Sequence, residues 1–303
     1  MSIFCVFLWR LYRSWPLDWR VNPGYYNVVV TGCDTGLGLL VVQRLHRMSI
    51  PVIACCLTDE AVQSLESAGV RAYKLDITDQ RSIDGVFKEI AKTNPEGIWA
   101  LINNAGIGVN SFFEMSHMEQ FEKVMEVNFF GTVKVIKTFL PLLKKKQGRL
   151  IVMTSMSGRI AVPGFCAYGA SKAALILLCD TLRLELKRWG VRVINVEPGG
   201  ISTGFVERSF QALQTSWEQA TDDIRTSYGK DWLGKQIRLI TKYPLSSVLS
   251  SPDTVVEAYV QATLCRFPKA IYVVGSVDTY WLWFLSYLPA WLSDFVQHWT
   301  ALG

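Results

Sequence analysis

Histidine is scarce in this 303-residue chain: there are three, His46, His117 and His298, and none stands at ligand spacing from a cysteine. The seven cysteines, Cys5, Cys33, Cys55, Cys56, Cys166, Cys179 and Cys265, form no CxxC pair. A structural zinc and a disulfide framework are therefore not expected, and no metal is assigned. Charge is sparse too, at 19% of residues against 50% apolar, which excludes a disordered, collagen-like or charged-tail protein. The 31 Lys and Arg exceed the 26 Asp and Glu by only five, and the densest basic run, Lys144-Lys145-Lys146, follows an apolar helical stretch without interleaved aromatics. That is the pattern of a solvated helix end, so no nucleic-acid partner is expected.

What the chain has is alternation. Short β-branched or apolar runs, each followed by a segment of helical period, occur at Asn27–Thr31, Val52–Leu57, Arg71–Asp76, Trp99–Asn103, Leu150–Ser155, Val191–Glu197 and Ala270–Gly275. Fully apolar strands separated by helices predict an α/β fold, a doubly wound parallel seven-stranded sheet of Rossmann type covered on both faces. Length alone allows two domains of about 150 residues, but no linker interrupts residues 26–275, so one domain is expected there. Residues 202–251 break the rhythm, with Trp217, Tyr228, Trp232 and Tyr243 among polar neighbours, and read as a helical substrate lid.

The two ends hold the excess of apolar residues. Residues 1–25 read as a hydrophobic N-terminal anchor segment: the run Ile3–Trp9 is too short for a span of about 20 residues and is stopped by Arg10 and Arg13, which suits an interfacial anchor. The aromatic segment 276–303 holds four of the eleven tryptophans, and its uncharged stretch Thr279–Ser293 is broken by Pro289. It reads either as membrane-associated or as a helix packing on the core.

Thr31-Gly32-Cys33-Asp34-Thr35-Gly36-Leu37-Gly38 joins the first predicted strand to a helix. Glycines at 32, 36 and 38 let backbone amides and the helix N-terminus approach a pyrophosphate, so a dinucleotide is the expected cofactor. At the end of the second strand, Cys55-Cys56-Leu57-Thr58-Asp59-Glu60 offers no Arg or Lys to a 2′-phosphate, and Asp34 in the Gly loop would repel one. NAD is accordingly expected over NADP. Asp59 is either a ribose ligand or an acidic residue at a helix start.

Tyr168 and Lys172 stand four apart, hence on one helix face. An ammonium near a phenol, with the positive nicotinamide ring, favours phenolate and makes Tyr168 a general base. Ser155 ends a strand thirteen residues earlier, and Asn103-Asn104-Ala105-Gly106 ends the strand before that.

Taken together, TGCDTGLG, Asp76, NNAG, Asn128, Ser155, Tyr168 with Lys172, and Pro198-Gly199 resemble the short-chain dehydrogenase/reductase superfamily over residues 26–275. Within it, the segments around Asn128 and Tyr168, SYGKDW and YLP resemble the membrane-bound hydroxysteroid dehydrogenases of the 17β type 2 and 11β type 2 groups. Retinol dehydrogenases and the mitochondrial 3-hydroxybutyrate dehydrogenase share the TGCD opening. The resemblance implies that Ser155 holds the substrate oxygen, Tyr168 takes its proton, and Lys172 depresses the tyrosine pKa while bonding the nicotinamide ribose. Asn128 would position a water behind Lys172, or only tie elements together. The cofactor would meet Gly32, Thr35, Gly36, Leu37 and Gly38 at its pyrophosphate, Asp76 and Ile77 at its adenine, and Asn104, Ala105 and Gly106 on the adenosine side. Pro198, Gly199 and Thr203 would face the carboxamide, unless Thr203 only caps the lid helix. Ser157 is the weaker serine, because its spacing to Tyr168 is less apt.

These residues lead to an expected NAD-dependent alcohol dehydrogenase that interconverts a secondary alcohol and a ketone on a steroid-like apolar substrate. Phe205, Phe210, Leu213 and Trp217 of the lid suit such a molecule, with Phe205 as a substrate contact. Retinol oxidation, 3-hydroxybutyrate oxidation and a non-catalytic cofactor-binding scaffold are the alternatives. The intact Asn-Ser-Tyr-Lys set argues against a scaffold. By resemblance a homodimer, contact with a membrane surface and location at the endoplasmic reticulum membrane are implied, with the mitochondrial inner membrane as the other location. YGASKAA stands nearer the steroid enzymes than the retinol enzymes, whereas the N-terminus is much shorter than in the type 2 groups.

Overall fold

The computed structural model describes residues 21, 24, 26–229, 231–242 and 249–302, with the backbone alone at 205–207, 239–242 and 298–302. Most of the expected N-terminal anchor and the end of the lid lie outside the described residues.

Seven parallel strands form one sheet in the order β3-β2-β1-β4-β5-β6-β7. They are β1 Val28–Thr31, β2 Val52–Cys56, β3 Arg71–Lys74, β4 Ala100–Asn103, β5 Arg149–Met153, β6 Arg192–Pro198 and β7 Ile271–Val274. Each matches one of the runs read from sequence, with ends moved by one or two residues. β1, β2, β4 and β5 are buried along their whole length, because helices cover both faces.

On one face, α1 (Gly36–Arg47) and α10 (Pro252–Leu264) pack Val41, Leu45, Val255 and Tyr259 on Val28, Val30, Ala54 and Ile102. On the other, α3 (Gln80–Thr93), α5 (Thr132–Lys146) and α6 (Cys166–Glu185) bring Ile83, Phe139 and Leu175 onto Val29, Leu101 and Leu150. The strand order reverses between β1 and β4, and this opens a crevice at the carboxyl ends of the strands, where ligands bind in such sheets. The Gly loop, Asn104–Gly106, Ser155 and Pro198-Gly199 all lie on that rim. The remaining helices are α2 (Asp59–Ser67), α4 (Met118–Met125), three in the segment read from sequence as a lid, α7 (Gly204–Gln219), α8 (Asp222–Tyr228) and α9 (Trp232–Lys242), and the C-terminal α11 (Val277–Leu285) and α12 (Ala290–Leu302). No described helix is long and apolar enough to cross a membrane.

Candidate active site

The Gly loop is closed tightly on the segment after β4. Gly32 has φ +70°, and a side chain there would also stand 2.7 Å from Ala105 Cα. A Cβ on Gly38 would overlap the Gly32 carbonyl oxygen and come within 2.6 Å of Asn104 Nδ2. Asn104 donates to the carbonyls of Thr31 and Gly32 at 3.1 Å each, and the Thr31 hydroxyl accepts from the amides of Asn104 and Ala105 at 3.2 Å. Tyr259, fully buried on α10, donates to Asn104 Oδ1 at 3.1 Å, a support from 155 residues away that sequence reading missed. At the start of α1, Thr35 makes no side-chain cap, so the first-turn N–H groups at Gly36, Leu37 and Gly38 are left for a ligand. With the helix dipole they form a cradle that fits a pyrophosphate.

On the adenosine side, Asp34 accepts from the amides of Leu57, at 2.9 Å, and Thr58, also at 2.9 Å. Its carboxylate is thereby fixed at the carboxyl end of β2. Asp59 opens α2 beyond the Thr58 cap and accepts from Lys74 Nζ of β3 at 2.5 Å, so its carboxylate is engaged across the strand end. Lys74 is a cation at this end of the sheet that the residues 55–60 did not reveal. Asp76 Oδ1 accepts from the Thr78 amide and hydroxyl at 2.8 and 2.7 Å, and Ile77 is buried against Gly131.

Ser155, Tyr168 and Lys172 converge. Ser155 ends the β5 segment, caps a 3-10 turn at Met156–Gly158 by accepting from the Ser157 amide at 3.1 Å, and shares a hydrogen bond with the Tyr168 hydroxyl. Ser157 therefore acts through its backbone, on Ser155. Lys172 Nζ is buried, 5.6 Å from the Tyr168 ring centroid, and donates to the Met153 carbonyl at 2.9 Å. Burial pushes the Tyr168 phenol up to about 12, against the opposing pull of the Ser155 hydrogen bond, and pushes the Lys172 ammonium down to about 8. In the protein by itself the phenol thus stands above its ordinary value. The Lys172 ammonium is turned to a backbone carbonyl.

Asn128 is fully buried in a π-helical turn, Glu126–Gly131, between α4 and α5, the kind of irregularity that clusters at functional sites. It accepts from the Ile107 amide at 2.8 Å and donates to the Ile107 carbonyl at 2.9 Å and to Ser171 Oγ at 3.0 Å. Ser171 in turn donates to the Tyr168 carbonyl at 2.7 Å. Gly106 leaves the space between Asn128 and Lys172, since a Cβ there would stand 3.2 Å from Asn128 Oδ1 and 3.6 Å from Lys172 Nζ.

Pro198 ends β6, and the Gly199 amide donates to the Val274 carbonyl at 2.8 Å. Thr203 precedes α7 without a side-chain cap, so its hydroxyl is not spent on the helix end. In the lid, Leu213 is buried, Trp217 stacks on Trp232 with centroids 5.0 Å apart, and Trp232 meets Phe112 edge-on at 4.7 Å. The Phe205 side chain lies outside the described residues. Aromatic contacts therefore join residues 217 and 232 to the loop after β4.

Residues 26–214 match the short chain dehydrogenase family, and the chain belongs to it. It is 33% identical to dehydrogenase/reductase SDR family member 9 of Bos taurus, over 98% of this chain and 93% of that one. It is 32% identical to estradiol 17-beta-dehydrogenase 2 of Rattus norvegicus (98% and 80%) and 31% identical to retinol dehydrogenase 7 of Mus musculus (97% and 94%). The fold is shared with a short-chain dehydrogenase from Streptomyces avermitilis, at TM-score 0.69 and 23% identity over 86% of this chain and 90% of that one. The protein is thus an oxidoreductase of the alcohol dehydrogenase type, in a family that uses a nicotinamide cofactor.

Proposed function

We propose that the protein oxidises a secondary alcohol on a steroid-like apolar molecule to the ketone, with NAD. The observation that carries this reading is the Ser155–Tyr168 hydroxyl pair, buried beside Lys172. NAD, when bound, supplies the hydride acceptor. The chain does the rest. Ser155 holds the substrate oxygen and Tyr168 takes its proton. Lys172 bonds the ribose, and with the cationic ring nearby it brings the phenol down from its buried value. Asn128 holds the Ile107 backbone and Ser171, and so fixes the helix that carries Tyr168. Gly32 to Gly38 cradle the pyrophosphate, Asp76 and Ile77 border the adenine, and Pro198 to Thr203 face the carboxamide.

Support for the substrate class comes from the lid's aromatic lining and from a relative that acts on estradiol. The retinol dehydrogenase relative favours a second reading, retinol oxidation by the same four residues. Contact with a membrane surface, at the endoplasmic reticulum, is supported by exposed aromatics of α11, α12 and the turn between them, among them Trp281, Phe284, Tyr287, Trp291 and Phe295. A homodimer through α6 is supported by Leu177 and Leu184, 69% and 78% exposed and seven residues apart on one helix face.

NADH absorbance with a panel of hydroxysteroids, retinol and 3-hydroxybutyrate tests the substrate class: turnover restricted to retinol would replace the first reading with the second. Tyr168→Phe should lower kcat about 100-fold or more while NAD binding persists. Near wild-type turnover in that variant would remove Tyr168 from its role.

A further inference from the structure

The pole opposite the cofactor crevice holds a cleft of about 180 Å³ lined by Val21, Trp99, Gln147 and three arginines, with no carboxylate among its described lining residues. Arg149 is the first residue of β5, Arg192 the first of β6, and Arg266 follows α10. We propose that this cleft binds an anionic phosphate group, with Arg149, Arg192 and Arg266 as its donors.

Arg149 donates to the carbonyls of Ala262 at 2.7 Å and Cys265 at 2.6 Å, and Arg192 to the Arg266 carbonyl at 2.5 Å, all at the end of α10. Burial and the neighbouring Arg192 push the Arg149 guanidinium down to about 10, so the cations crowd one another. A phosphate would relieve that crowding, and it matches the fork of N–H donors that a guanidinium offers. Two of Arg149's five N–H donors are used on the α10 carbonyls. Its guanidinium lies 4.8 Å from the Trp99 ring centroid, and the Trp99 indole donates to the Thr263 carbonyl at 2.8 Å. The arginine and its platform are therefore held in place before any ligand arrives.

The phosphate could belong to a lipid headgroup or to a small soluble molecule. Surroundings of the cleft suit the first: Lys144 lies 3.6 Å from the Trp189 ring centroid and Lys146 3.2 Å from that of Tyr26, a basic and aromatic rim. Val21, on the cleft, is preceded in sequence by the apolar segment that includes Ile3–Trp9.

Thermal unfolding of the full chain in inorganic phosphate, against chloride at matched ionic strength, reads the site directly. The wild type should gain about 2 °C or more, and Arg192→Gln and Arg266→Gln should each lose that gain while Arg192→Lys retains part of it. Sedimentation with phosphatidylcholine vesicles, with and without phosphatidic acid, separates the sources. Extra retention on phosphatidic acid that is lost in both glutamine variants assigns a lipid headgroup. A phosphate-dependent gain without such retention assigns a soluble phosphate. No gain and no extra retention in the wild type, or equal effects in wild type and variants, overturns the proposal. NADH production should be unchanged in the variants, and a chain without dehydrogenase activity would leave this proposal standing.

Discussion

Arg159 and Glu197 meet through two hydrogen bonds, Nε to Oε2 at 2.6 Å and Nη2 to Oε1 at 2.7 Å, and the carboxylate is wholly buried. Arg159 follows the turn that Ser155 caps, and Glu197 precedes Pro198-Gly199. The pair therefore ties the serine that would hold the substrate oxygen to the segment that would face the nicotinamide. Removing one partner strands a buried charge, which costs about 3–5 kcal/mol. Arg159→Met should lower unfolding stability in urea by that order. The double variant Arg159→Met/Glu197→Gln should recover much of it, because no charge is left unpaired. Equal stability of the single variant and the wild type would show that the pair is dispensable.

The loop geometry makes a sharper demand. A methyl group on Gly38 has no free direction between the Gly32 carbonyl and the Asn104 amide. Overpacking of this kind costs about 1–3 kcal/mol, and here it falls on the pyrophosphate cradle. Gly38→Ala should raise the KM for NAD about tenfold or more, with a smaller change in kcat. Titration of cofactor binding by tryptophan fluorescence would check it. Unaltered binding would mean that the dinucleotide lies elsewhere.

The strands, and the residues that converge at Ser155, Tyr168 and Lys172, were legible in the sequence for a local reason. Most strands are short β-branched or apolar runs, and Tyr168 and Lys172 are related by one helical turn, so both signals survive without knowledge of the fold. What could not be read depends on register. Asp34 reaches Leu57 because β1 pairs β2 with Thr31 opposite Cys55, and Lys74 reaches Asp59 because β3 lies beside β2. Tyr259 finds Asn104, and Arg159 finds Glu197, only once α10 and β6 are in place. The π turn at Asn128 breaks the helical period instead of following it, and its clamp on Ile107 leaves no sequence trace.

Asp34 offers a test of cofactor choice. Its carboxylate is held on the Leu57 and Thr58 amides, where a 2′-phosphate on the adenosine ribose would meet a like charge. Lys74 works in the opposite sense, but its ammonium is engaged with Asp59. Asp34→Asn keeps an acceptor for the two amides and removes the charge. The ratio of kcat/KM for NAD over NADP should then fall by about tenfold, the equivalent of 1.4 kcal/mol. If the ratio does not move, the discrimination resides in another residue.

Lys172 should leave a mark on stability as well as on catalysis. Its ammonium titrates near 8 in the folded protein, down from an ordinary value of 10.5, because burial strips it of water. Between those two values the unfolded chain holds a proton that the folded chain has released, so unfolding takes up a proton and stability from this group rises with pH. Below pH 8 both states are protonated and the burial penalty stands in full. The Tyr168 phenol acts in the other sense, since it titrates near 12 when folded and near 10 when unfolded, and lowers stability only above pH 10. In the cofactor-free protein, urea midpoints should therefore climb between pH 8 and 10 relative to Lys172→Met, whose curve lacks this contribution. The same substitution should raise stability at pH 7, where the buried charge is greatest, while lowering kcat/KM. A flat difference between the two proteins across that window would mean that Lys172 is not desolvated in the folded state.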